Sequence, residues 1–215
     1  MTKKRLWAIG GSAAAIVALM GVAHVPSVQR MLGASCPFAK PPDPAKLEDL
    51  RTKSAASLRG TTKATTRDAL GFTIDVTTKD QVLAWGARGG ATCGEALGGA
   101  AIRCEGARVD EGPRAADAFF RFDPRGRLVG VDVMREPASA ETASAFFEEL
   151  VARRTRELGA PSARHGNAAP ESLGSGHLMH ADAEYRFADY AVDVSVTNFG
   201  DDGIVVREQF RSLSM

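Results

Sequence analysis

The sequence lacks an excess of charge of either sign. Its 27 Lys and Arg residues face 26 Asp and Glu, a net of +1. Setting aside Lys3, Lys4 and Arg5 leaves 24 against 26, or −2. That balance provides no electrostatic footprint for nucleic acid, so no nucleic-acid partner is expected. Signatures of catalysis are missing too. No Gly-Lys-Ser/Thr follows the glycines at 86, 89, 90, 94, 98 and 99, which come after a predicted helix instead of before one, the wrong side for anion capture. Gly174-Ser175-Gly176 is not a G-x-S-x-G elbow. With three cysteines and four histidines, the chain has few soft metal ligands, and no cofactor is expected. What remains, 44% hydrophobic and 25% charged residues, is the composition of a globular chain long enough to bury a core.

The N-terminus carries the one long apolar run. Lys3, Lys4 and Arg5 precede an uncharged stretch from Leu6 to Val25, whose twenty residues at about 1.5 Å each match a hydrocarbon core of roughly 30 Å. Positive charge stays inside, so everything after the run is expected on the far side of the membrane. Two outcomes stay open: an uncleaved inner-membrane anchor carrying a periplasmic domain, or a signal peptide ending at Gly21-Val22-Ala23 and release to the periplasm. Residues 1–29 are assigned to this segment.

Residues 30–70 read as a stalk. Pro37, Pro41, Pro42 and Pro44 prevent a continuous helix, and Thr61, Thr62, Thr65 and Thr66 form a polar tract. One short helix fits, opening at Asp43-Pro44 and stopping at Gly60, and it is expected to dock loosely or not at all. The globular domain is assigned to 71–215, and a chain starting near Ala69 is expected to fold alone.

Within it, Thr77 and Thr78 cap a helix over Lys79 to Ala87 that ends at Gly89-Gly90. Short strands are predicted at Ala101–Glu105, Ala118–Phe122 and Leu128–Met134, the last two joined by the Asp123-Pro124-Arg125-Gly126 turn. Ser139 opens the main helix, with Ala143, Phe146, Phe147, Leu150, Val151 and Leu158 at three-to-four spacing until Gly159 and Pro161. Strands at Met179–Phe187, Ala191–Asn198 and Ile204–Phe210 close the chain. Ala118–Phe122 aligns with Ala183–Phe187 and Val129–Val133 with Val192–Val196, a period of roughly 63 to 65 residues. Either the unit is duplicated or two amphipathic hairpins share a common pattern. The predicted class is α+β: an N-terminal apolar helix, a Pro-rich stalk, and tandem helix-plus-antiparallel-strand units packed as helices on a sheet.

Thr77-Thr78-x-x-Gln81-Val82 opening the short helix and Glu157-Leu158-Gly159-Ala160-Pro161 ending the long one resemble the BamE (SmpA/OmlA) lipoproteins and the related β-lactamase inhibitor proteins. The likeness spans roughly Gly71 to Phe210. It implies a module that binds proteins rather than a catalyst. The closing stretch, Glu184-Tyr185-Arg186-Phe187 with Asp189-Tyr190, is similar to that of exported bacterial proteins with no activity to carry over.

Cys93 and Cys104 bracket a glycine-rich connection and are expected to form a disulfide worth on the order of 3 kcal/mol. Cys36, in Leu32-Gly33-Ala34-Ser35-Cys36, imitates a lipobox with its leucine one position too far away; an unpaired thiol linking two chains is the other reading. His177-x-x-His180-x-Asp182, with His165 upstream, has a metal-like look, but positions three apart on a strand face opposite ways, so no metal is assigned. Arg121, Arg125, Arg127 and Arg135 form either a patch on the first hairpin or pairs with Asp117, Asp123 and Asp132. The functional expectation is a noncatalytic, envelope-anchored binding or structural module, with Trp85, Tyr185 and Tyr190 as candidate binding surface and a protein partner or a second copy as ligand. The alternative is a small exported hydrolase-like enzyme with a site near His165, His177 and His180.

Overall fold

Two capped helices set the frame. Thr78 accepts a hydrogen bond from the Gln81 backbone N–H while the Gln81 side chain accepts from the Thr78 N–H, a reciprocal capping box that starts α2 (Lys79–Gly89). Gly90, at φ 70°, ends it in the left-handed region that favours glycine. The Ser139 hydroxyl, accepting from Thr142 N–H, starts α3 (Ala140–Leu158). The computed structural model describes residues 44–109 and 116–214. The apolar run, Cys36 and the first part of the stalk lie outside the described residues.

The full order is α1 (Pro44–Ser57), β1 (Asp68–Ala69), β2 (Phe72–Thr73), α2, β3 (Thr92–Ala96), β4 (Ala101–Ala107), β5 (Ala116–Phe122), β6 (Leu128–Arg135), α3, β7 (Ala163–Gly166), α4 (Pro170–Leu173), β8 (His180–Arg186), β9 (Tyr190–Asn198) and β10 (Ile204–Ser212). Eight strands form one antiparallel sheet in the order β3-β4-β5-β6-β10-β9-β8-β7. The molecule is therefore α+β, with helices packed on a large antiparallel sheet. The strand order reads as two runs of four, each preceded by a helix, that meet at the β6–β10 seam. Each unit holds four strands rather than the expected three. The seam places β5 opposite β9 and β6 opposite β10, whereas the sequence alignment matched β5 with β8 and β6 with β9. Alternating apolar positions with Val or aromatic residues recur on β5, β6, β8, β9 and β10 and cannot distinguish one hairpin from the next.

Alternation defines the two faces of the sheet. Phe120, Val131, Val133, Phe210, Val192, Val194, Ala183 and Tyr185 point to the side carrying α2 and α3 and are fully buried. Phe147 and Leu150 of α3 fill the same core, while Phe146 is only half-buried, beneath the Arg135 guanidinium. Glu208 is also fully buried here. Arg135 pairs with it at 3.0 Å, and Arg154 donates to it from both Nε (3.1 Å) and Nη2 (3.0 Å). Arg135 thus belongs to the core, not to a hairpin patch.

The stalk reading needs correction from residue 44 onward. The compact unit begins at Pro42. α1 lies against the far side of the sheet, where Ala55 is only 2% exposed and clusters with Ala191, Leu213 and Leu58. The chain then wraps the β8–β9 turn: Gly60 N–H donates to Phe187 O, Ala188 N–H to Thr62 O, and Ala64 N–H to an Asp189 oxygen. It arrives on the helix side with Ala69 and Phe72 buried in the main core. This strap crosses from one face of the sheet to the other. Its polar composition suggested a solvated linker because its hydrogen-bond partners lie more than a hundred residues away.

Candidate functional site

Cys93 and Cys104 are bonded, with Cα atoms 4.0 Å apart, and sit directly opposite each other on β3 and β4. Gly86 of α2 passes over them, and a Cβ at that position would collide with Cys93 Sγ. The bridge staples the edge strand β3 to β4 beneath α2, and β3, read from the sequence as a loop, is what positions it.

Tyr185 and Tyr190 do not form a binding surface. Both are fully buried on the helix side: the Tyr185 hydroxyl donates to Val151 O at 3.0 Å, and the Tyr190 hydroxyl donates to Asp68 O at 2.5 Å. Burial raises both phenol pKa values above their ordinary range. Trp85 is half-buried, packed edge-on against Phe72 and Phe120 at 5.2 and 5.6 Å. It is a core aromatic with one edge toward solvent.

The face away from α2 and α3 has the character of a site. Strand register lays side chains across it in rows. One row runs Arg103, Phe119, Asp132, Gln209, Asp193, Glu184. The next runs Asp117, Met134, Arg207, Ser195, Asp182, His165. Arg207 grips Asp132 with two donors, and Gln209 adds a third at 2.8 Å. Asp193 takes Arg186 at 2.5 Å and Arg211 at 3.1 Å. Hydrogen bonding to Asp132 holds Arg207 above its ordinary pKa. In its row Met134, 43% exposed, stands between Asp117 and Arg207, diagonal to Phe119. Among the described residues α1 covers this face only near Ala191.

The histidines divide. His165 on β7 faces Asp182 across the ladder, and His165, Asp182 and Glu184 bring one ligand atom each to within 4.8 Å of one another. His180 contacts Asp182 at 3.2 Å and Thr197 at 2.8 Å. His177 is elsewhere, before β8 and against Gly200 of the β9–β10 turn. One imidazole and two carboxylates match the count of a three-ligand zinc site, with Glu184 and Asp182 two apart on one strand face. Sequence spacing pointed to His177 and His180, which the fold separates; the β7–β8 pairing that unites His165 with Asp182 was not apparent because β7 is four residues long.

A second feature lies at the α1 end of the same face: a cavity of about 680 Å³ walled by α1, the β5–β6 turn and the strand ends, with Arg121 and Arg211 among its lining residues. Among the described residues no helix is long and apolar enough to cross a membrane.

No protein-family model matches the chain, and no curated protein matches it. Among solved structures it is similar to a DUF4309 family protein (YjgB) from Bacillus subtilis, at 13% identity over 78% of this chain and 97% of that one, with a TM-score of 0.33. A likeness of that size carries no functional argument.

Proposed function

We propose that this chain is a noncatalytic binding module of the cell envelope whose sheet face away from α2 and α3 recognises a protein partner, either another protein or a second copy. One observation carries the reading: a face several strands wide presents ordered Arg–Asp rows with exposed Met134 and half-buried Phe119 set among them. Rigid strands fix such side chains before binding, which lowers the ordering cost of an interface, and apolar anchors within a polar surround are the usual energetic centre of one. The Leu6–Val25 segment would hold the domain at the periplasmic side of the inner membrane, or be removed on export.

The test places a photo-crosslinking residue at Ser195 of the full chain in cells, with a control at Glu149 on α3. The expected result is a discrete adduct from Ser195 alone, lost on Met134→Ser plus Phe119→Ser; its mass separates partner from dimer. Equal labelling at both positions, or an adduct indifferent to Met134 and Phe119, overturns the reading.

The alternative, a small exported hydrolase-like enzyme, is favoured by the His165–Asp182–Glu184 group. It requires metal-dependent turnover that His165→Ala abolishes.

A further inference from the structure

We propose that the cavity between α1 and the sheet face away from α2 and α3 binds an amphipathic carboxylate, its head group on Arg121 and its apolar body along the walls. This goes beyond the protein-binding reading and does not depend on it.

Every other charge in the wall is used. Lys79 pairs with Glu95 and reaches Gly99 O. Arg51 takes both oxygens of Glu48, at 2.6 and 2.9 Å. Arg211 holds Asp193 and Gln209. The Asp123 carboxylate accepts from the Arg125 and Arg127 backbone N–H groups and so closes its own turn. Asp132, the anion that attracts Arg121, is filled by Arg207 and Gln209. Arg121 has no hydrogen-bond or ion-pair partner among the described residues, although the cavity leaves it half-buried. Burial pushes its guanidinium below its ordinary pKa; Asp132 acts the other way, and Arg211 and Arg207 add to the lowering. A desolvated cation without a counter-charge is costly, and an incoming anion removes that cost.

The β6 backbone at Gly130 floors the guanidinium, beside the cavity and not in its wall. Gly130 lies beneath the guanidinium, and a Cβ there would fall 3.0 Å from Arg121 Nε and 3.1 Å from Nη2. The remaining wall is largely aliphatic and aromatic: Leu50, Leu58, Leu97, Phe122, Val129 and Leu213. Leu50 is 60% exposed and Leu97 39%, so both offer apolar surface to a bound hydrocarbon chain. A volume of about 680 Å³ suits a small molecule, and one unpartnered cation among paired charges and beside apolar walls selects a single anionic head on a hydrocarbon body.

The probe is octanoate, titrated calorimetrically into the full chain held in zwitterionic nanodiscs, with octan-1-ol, octylammonium and inorganic phosphate as separate arms; empty nanodiscs supply the partition blank. Saturable one-to-one binding of octanoate alone is expected, with a raised unfolding temperature. Arg121→Met should weaken it by about ten- to a hundred-fold, the worth of a charge-assisted contact. The same substitution should leave the unfolding temperature of the unliganded chain unchanged or higher, because it removes an unpaired, half-buried charge. Gly130→Ala keeps the charge but lifts it from the floor, and should also weaken binding; Arg125→Met, on the exposed turn, should not. Octan-1-ol or phosphate binding as tightly as octanoate, no octanoate binding by the full chain, or full octanoate affinity in Arg121→Met would each overturn the proposal. So would an Arg121→Met chain that is markedly less stable unliganded, which would make the arginine structural.

Discussion

Phe147 and Glu208 show two ways of occupying the same core. Phe147 is fully buried against the sheet, so Phe147→Ala is expected to cost about 3–5 kcal/mol in urea denaturation, and Phe146→Ala less because that ring is half-buried. Glu208 is buried among arginines, and Glu208→Gln removes the carboxylate that Arg135 and Arg154 share; about 3–5 kcal/mol should be lost in the same measurement. Tyr190 adds a pH signature. Its folded pKa is raised by burial, so the unfolded chain loses the phenolic proton first and stability falls as pH rises above about 10; below that its contribution is complete. Tyrosinate absorbance should therefore appear together with alkaline unfolding, and Tyr190→Phe should remove part of that pH slope. Phe147 was legible as an apolar position of the main helix, whereas Glu208 and Tyr190 did not announce their roles in sequence. Tyr190 sits between Asp189 and Ala191 in a polar context, and only the Asp68 carbonyl, 122 residues away, makes its burial tolerable. Arg135 ends an apolar strand as surface arginines do, and its anion is 73 residues on.

At the scale of elements, caps and turns were legible and pairings were not. The Thr78–Gln81 box, Gly90, Ser139 and the Asp123–Gly126 turn satisfy backbone groups from within a few residues, so the chain itself states where α2, α3 and the β5–β6 hairpin begin and end. β3 has the sequence Thr-Cys-Gly-Glu-Ala, without an apolar alternation; it is a strand because β4 supplies a ladder and Cys104 a covalent partner. The disulfide pairing was nevertheless readable from two cysteines spaced by a glycine-rich loop. α1 was readable as a helix and unreadable as a docked one, since its contact rests on Ala55 and Leu58 rather than on an apolar stripe. The strap gives a direct test. A chain beginning at Ala69 loses α1, the bonds to the β8–β9 turn and the acceptor of the Tyr190 hydroxyl, the last alone costing about 1–3 kcal/mol. Its urea midpoint should fall well below that of a chain beginning at Pro42; equal midpoints would restore the stalk reading.

For the whole molecule the decisive contact is the β6–β10 seam. Six residue pairs, from Val206–Arg135 to Arg211–Gly130, join the two four-strand runs there. Glu208 on one side of the seam is held by Arg135 from the other, and Arg207 reaches across the opposite face to Asp132. The seam is thus fastened by hydrogen bonds between strands and by ion pairs on both faces. A run separated from its partner would expose the full length of β6 or β10 as an unpaired edge, which strands of eight and nine residues cannot leave uncovered without self-association. The two runs should therefore fold as one cooperative unit. Trp85 fluorescence reports the first run through its contacts with Phe72 and Phe120, and far-ultraviolet circular dichroism reports both. Their urea transitions are expected to coincide in the wild-type chain. Arg135→Ala removes one tie and should shift both curves together; separation of the tryptophan curve from the dichroism curve would show that the halves unfold independently and that the seam does not couple them.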